Sequence, residues 1–271
     1  MLLSLDSGVS ALQQFQQNIN VIANNIANVN TIGFKSAKVS FADTLSQTLG
    51  SNATGSTQVG TGMKTAGISN NFTNGSVSGT GVQTDLAISG SGFFLVSDPT
   101  TGNTYVTRDG EFKQSTEGYL VNANGMRLQG YKDAALSTVG DVKIDNTGSS
   151  STAALQSYTI GSNGKISVLL EDGTSFYRGQ ILLQNFSSPE QLIKVGNNLY
   201  SGLSVAGGLA TPVPPDTGGV GSLSTSALES SNVDLAKELT SLIVTQRAYE
   251  ANSKVITTSD EILQTLVNLK R

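Results

Sequence analysis

Histidine, cysteine and tryptophan are all absent from this 271-residue chain, and each absence removes chemistry. Without cysteine there is no disulfide, thiolate nucleophile or thiolate metal ligand, and without histidine no imidazole base or imidazole ligand. Charge is scarce as well: 13% of the residues are charged, against about 25% in an ordinary soluble domain. Gly, Ser, Thr and Asn keep the chain in water instead, a composition expected of extracellular structural proteins more than of compact metabolic enzymes. The net charge is −4 and the 16 basic residues are scattered, so there is no footprint for nucleic acid or an anionic membrane. No stretch approaches the roughly 18 consecutive apolar residues of a membrane span. The first 34 residues carry one charge, Asp6, and no Lys or Arg. That amino end lacks the basic region of a secretory signal, and a leaderless export route is the expectation.

What is present begins with two heptad patterns, one at each end. Leu5, Leu12, Ile19 and Ile26 recur every seven residues, as do Phe15, Ile22 and Val29; together they make the 3–4 seam of a helix packed along another helix. The seam is expected to end near Asn30, with Gly33 as terminator. Ser231 and Asp234 have the spacing of a capping box. They predict a second, longer helix whose seam runs through Leu235, Leu242, Tyr249, Ile256 and Leu263, with Leu239, Val255, Ile262, Leu266 and Leu269 widening the stripe. Four asparagines, Asn24, Asn25, Asn28 and Asn30, interrupt the apolar residues of VIANNIANVNTIGFK. An uncharged amide with donors and an acceptor suits contacts to neighbouring helices or to water in a pore.

The middle predicts short antiparallel strands. Segments 85–88, 92–96, 104–107, 119–121 and 126–131 are separated by Asp98-Pro99, Asp109-Gly110 and Asn124-Gly125, and 158–160, 165–170 and 179–186 surround Asn163-Gly164 and Asp172-Gly173. The expected organisation is α+β. Residues 1–35 and 226–271 form a helical domain paired as a coiled coil, and 36–80 a polar extended connector that becomes ordered against neighbours. Residues 81–202 form a mainly antiparallel β domain with 132–157 as a short loop or reduced insert, and 203–225 a Gly/Pro-rich connector. Gly90-Ser91-Gly92 precedes a strand rather than a helix and is a turn, not a phosphate loop. Ser162-Asn163-Gly164-Lys165 has S-x-x-K spacing but lies across a hairpin, and Asp141 and Asp145 are solvated charges rather than metal ligands. No catalytic, cofactor or metal site is expected, and no enzyme.

The stretches NNIANVNTIGFK (24–35) with SFADTL (40–45), GTGVQTDLAISGSGFFLV (79–96), YVTRDGEFKQSTEGYLVNANGMRLQGY (105–131) and ESSNVDLAKELTSLIVTQRAYEANSKVITTSDEILQTLVNL (229–269) together resemble the axial proteins of the bacterial flagellum, its rod, hook and related components. The resemblance implies export by the flagellar type III apparatus and helical self-polymerisation into a tube, with paired terminal helices around the channel and β domains outside. It also implies rod, hook-cap and hook–filament junction proteins as partners, and a place in the basal body or hook outside the cell. MRLQGY (126–131), QTLVNL (264–269) and SFADTL look more like hook than rod. The expectation is a hook subunit of short form, a flexible joint transmitting torque. The alternatives are a distal rod subunit, whose length is closer to this chain's, and, remotely, an adhesin or tail-like fibre. The implied polymer interface comprises the heptad residues with Asn24, Asn25, Asn28, Asn30, Gly33 and Phe34.

Overall fold

The computed structural model describes residues 2–52, 55–133, 135–147, 153–209 and 211–269. They divide into two units: a helical unit drawn from the chain up to Val29, Ser36–Asn71 and the chain from Val233, and a β unit drawn from Asn30–Lys35 and Phe72–Asn232. The expected α+β class, with a helix near each end and an antiparallel β domain between them, is what the fold shows.

In the helical unit, α1 spans Leu2–Ala27 and α2 spans Leu235–Leu269. Asp234 caps α2, its carboxylate accepting from the Ala236 and Lys237 amides at 3.0 and 3.2 Å. The cap therefore sits three residues later than the predicted box begins. The helices run antiparallel, because Gly8 faces Ile256 while Asn18 donates to the Thr245 hydroxyl at 3.1 Å. A Cβ on Gly8 would lie 3.1 Å from Ile256 Cγ1, so the absence of a side chain there lets the helices approach.

The seam has the predicted 3–4 spacing but different chemistry. On α2 the covered positions are Leu242, Thr245, Tyr249, Asn252, Ile256, Ser259 and Leu263, and on α1 they include Gly8, Ala11, Phe15, Asn18, Ile22 and Asn25. Half of these residues are small or polar. Large apolar groups on both flanks are left outside the pair, since a helix can turn only one stripe toward a single partner.

Residues 37–70, which lack apolar alternation, nevertheless form two antiparallel pairs, Ala37–Asp43 with Met63–Asn70 and Ser46–Asn52 with Gly55–Gly60. The first pair leans on α1. Phe41 meets Phe15 edge-on at 6.3 Å, and the Thr65 hydroxyl sits between Gln14 and Gln17. Contacts to a helix order this ladder, which is why its own sequence pattern says little.

In the β unit, twelve strands of the described residues join one sheet. Its path runs Leu155–Ile160, Lys165–Leu170, Ser175–Ile181, Arg127–Tyr131, Phe93–Ser97, Thr104–Thr107, Leu199–Ser201 and Ile193–Gly196, antiparallel throughout. Lys165–Leu170 alternates as expected, with Ile166, Val168 and Leu170 inward. Phe93–Ser97 is covered on both faces. Phe94 and Val96 join the main core with Phe112, Leu128, Ile181 and Leu183, while Phe93 and Leu95 join a second cluster with Val106, Phe186 and Tyr200. Two shorter ladders bring the carboxyl side of the unit home: Ser222–Thr225 on Leu86–Ser89, and Ala227–Glu229 on Val77–Gly79.

The expected loop 132–157 contributes Val139–Asp141, paired with Arg127–Tyr131, and it ends on an ion cluster. Burial acts to raise the Asp145 carboxyl, but bonds from Arg178, Lys143 and the Thr147 segment outweigh it and hold the group below its ordinary 3.8. A carboxylate depressed in the folded state stabilises fully above that ordinary value, and the contribution is lost as pH falls through the folded pKa. Asp145→Asn should therefore lower the thermal midpoint at neutral pH, with the deficit relative to the parent narrowing as pH drops from about 5 to about 2; circular dichroism melts across that range check it.

Candidate assembly surface and its buried anchor

α1 contains 26 residues and α2 contains 35, so at about 1.5 Å per residue α2 outruns its partner by roughly 14 Å. The antiparallel register set by Gly8 and Ile256 places the surplus at the carboxyl end of α2, where Ile262, Leu266, Val267 and Leu269 are exposed, Leu269 to 78%. Leu235, Leu239, Ile243, Val244 and Val255 are exposed farther back. The predicted α2 residues thus separate into two groups. Leu242, Tyr249, Ile256 and Leu263 are half-buried in the seam, whereas Leu235, Leu239, Val255, Ile262, Leu266 and Leu269 are exposed. On α1, Ile22 is buried and Leu5, Leu12, Phe15, Ile19 and Ile26 are half-buried, as is Val29 in the turn after it.

The asparagines do not act as a set. Asn25 is buried, and its amide closes a two-bond ring with the backbone of Ala37, accepting from its N–H at 3.0 Å and donating to its carbonyl at 2.9 Å. That amide is spent inside the subunit, which corrects the expectation that it faces a neighbour. Asn28 donates to the Asn24 carbonyl at 2.9 Å and so satisfies part of the last turn of α1. Asn24 and Asn30 are the exposed members.

Gly33 and Phe34 are also buried within the subunit rather than on its surface. Gly33 has φ +66° and a Cβ there would lie 2.6 Å from the Arg108 carbonyl carbon, so both conformation and space select glycine. Helix α1 has ended six residues earlier, at Ala27; Gly33 serves the docking of the next segment rather than the helix end. The Phe34 ring lies 4.5 Å from Lys194 Nζ, and that ammonium donates to the Lys35 carbonyl at 2.8 Å. Asn198 donates to the Ile32 carbonyl at 2.9 Å.

The group that organises this segment was not among the expected residues. Lys35 and Glu229 have side chains 1% exposed, with Nζ 2.6 Å from Oε1. Arg108 reaches the other carboxylate oxygen at 3.1 Å. Two buried cations thus share one buried anion, and backbone oxygens take a further donor from each: Thr73 from Lys35 and Gly90 from Arg108, both at 2.8 Å. Burial pushes the Lys35 ammonium and the Arg108 guanidinium below their ordinary values; Glu229 opposes the shift in both, and the charge of Arg108 adds to it at Lys35. Burial also raises the hydroxyl of Tyr200, which keeps it neutral beside the cluster. Charges are ordinarily assigned to surfaces, so nothing in the pattern marks these three except that Lys35 closes a run of 34 residues with a single charge.

Three family models match the chain: flagella basal body rod protein over residues 5–35, flagellar hook protein FlgE/F/G D1 domain over 87–168, and flagellar basal body rod FlgEFG protein C-terminal over 224–269. The flagellar basal-body rod protein FlgG of Bacillus subtilis is 41% identical, over all of both chains. The chain belongs to the flagellar rod and hook protein family. FlgG of Buchnera aphidicola from Acyrthosiphon pisum is 37% identical over 99% of this chain and all of its own. The flagellar hook protein FlgE of Borreliella burgdorferi is 28% identical over all of both chains. Membership makes the chain a structural protein of the flagellum rather than an enzyme. No described helix is long and apolar enough to cross a membrane. The names favour rod over the expected hook.

Because the Asn25 amide satisfies two buried backbone groups, Asn25→Ala should lower stability by about 1–3 kcal/mol, while exposed Asn24→Ala should stay within about 0.5 kcal/mol. Urea unfolding followed by circular dichroism measures both.

Proposed function

We propose that the chain is a distal rod subunit of the flagellar basal body, which polymerises with copies of itself into a straight, tubular drive shaft. The observation that carries this reading is length. The alignment to Bacillus FlgG spans 279 positions and covers both proteins, whereas the alignment to the Borreliella hook protein spans 446, leaving at least 175 positions with no counterpart in this chain's 271 residues. The hook expectation rested on short terminal and strand motifs and yields to that difference.

The exposed apolar faces of α2 are the surfaces that neighbouring copies cover in this reading, with Asn24, exposed on α1, and Asn30, exposed beyond its end, as further contacts. Nine large apolar side chains, 44% to 78% exposed, would contribute on the order of 10 kcal/mol on burial. Association itself costs about 4–15 kcal/mol, so one such contact barely closes and a lattice of repeated contacts closes well. The subunit's partners are the neighbouring axial proteins at each end of the rod and the export apparatus that delivers it.

Deleting the gene and imaging purified basal bodies by electron microscopy tests the rod reading. Truncated rods without hooks are expected; full-length rods lacking only the hook would return the chain to the hook class. For the surface, Ile262→Asp and Leu266→Asp should leave the subunit exported into the medium at parental levels but unable to complete rods. Normal rods from both variants would remove α2's outer face from the interface.

A further inference from the structure

The chain passes between its two units after Val29, Lys35, Asn71 and Asn232, and inside the β unit the segments next to all four passages converge on Glu229. Its Oε1 accepts from Lys35 Nζ and, at 2.8 Å, from the Gly75 amide. Its backbone carbonyl accepts from the Gly33 amide at 2.8 Å. Its Oε2 faces Arg108, which belongs to the sheet side of the cluster through its bond to the Gly90 carbonyl. Asn232 completes the arrangement by donating to the Thr73 carbonyl, the same oxygen that Lys35 reaches.

The charges in this cluster impose an order. Arg108 with Glu229 is a neutral pair, so the 227–232 segment can settle on the sheet without Lys35. Lys35 with Arg108 and no Glu229 is two buried cations facing each other, each having lost its hydration. Of the other bonds to 30–35, those from Lys194 and Asn198 end on carbonyl oxygens, and the Gly33 amide and the Phe34 carbonyl bond to the backbone of Glu229 and Asn232 in the 227–232 segment itself, so none of these supplies a charge to compensate Lys35. We propose that Glu229 is a latch: the 30–35 segment docks on the β unit only after the 227–232 segment has docked, so the chain that follows α1 is tied into the β unit only when the chain that leads to α2 already is. The latch holds whether the subunit serves rod or hook, and it excludes a subunit with 30–35 docked and 227–232 loose.

Amide hydrogen exchange on the full-length chain reads the two segments separately. Glu229→Gln is expected to raise exchange by at least about tenfold in 30–35, 73–75 and 227–232 together, while the Ile166, Val168 and Leu183 amides of the sheet stay protected. Lys35→Met is expected to raise exchange in 30–35 and leave 227–229 within about threefold of the parent. Adding Lys35→Met to Glu229→Gln supplies a reading even where the single Glu229 variant loosens the sheet. It should restore protection at 30–35 relative to Glu229→Gln alone, because the unpaired ammonium is gone, so one substitution loosens the parent and tightens the variant. Equal loosening by Lys35→Met in both backgrounds, or protection at 30–35 that survives Glu229→Gln, would overturn the proposal.

Discussion

One buried carboxylate sets the conditions for the rest of this molecule. Glu229 compensates two cations that burial would otherwise make costly, and it does so where the chain enters and leaves its β unit. A buried ion pair is weak evidence of stability, since an apolar replacement of similar volume is often as good. What it supplies is selectivity: an apolar cluster would accept the two end segments in any order and in shifted registers, whereas Lys35 has one acceptor with charge. Gly33 reinforces the choice, because its backbone must lie against Arg108 where no Cβ fits.

The helical unit answers a different constraint. Its seam uses Gly8, Ala11, Asn18, Thr245, Asn252 and Ser259 among its covered positions, while Ile262, Leu266 and Val267 lie outside. Small seam residues bring the helix axes close and the polar ones bond across, as Asn18 does to Thr245. The apolar surface then remains outward, where charge would be expected in a self-sufficient helix pair. The low overall charge and the outward Leu, Ile and Val are therefore one feature seen at two scales.

Much of this was legible from the chain alone, and what was not has physical causes. Lys165–Leu170 alternates because one face meets the core, and Asp234 announces α2 because a helix start leaves amides that need an acceptor. The helix seam was legible in its apolar half, since Phe15 and Ile22 of α1 and Leu242, Tyr249, Ile256 and Leu263 of α2 are covered, but not in the alternate positions, where Ala11, Asn18, Thr245, Asn252 and Ser259 are small or polar and no apolar pattern marks them. The ladder at 37–70 was not legible because α1, not alternation, orders it. Asn25 and Glu229 were not legible because their partners are 12 and 194 residues away. MRLQGY suggested hook, yet it forms the strand between Phe93–Ser97 and Ser175–Ile181, with Leu128 in the core. The family model that matches over these residues is named for hook and rod proteins alike, so a motif that builds this sheet does not distinguish them.

The two units differ most in what they can hold together unaided. Among the described residues, the buried apolar side chains of the helical unit are Ala11, Ile22 and Val39, whereas the β unit buries Phe94, Phe112, Leu120, Leu128, Ile181, Leu183 and many more. Most helical stability in proteins comes from packing an apolar face, and these helices pack theirs largely through half-buried residues. The β unit therefore has the larger core of its own, whereas the helical unit leaves Ile262, Leu266 and Val267 exposed; in the assembly reading proposed above, copies of the same chain would cover them, and the helical unit would then gain from its neighbours the apolar burial that its own seam of small and polar residues does not supply.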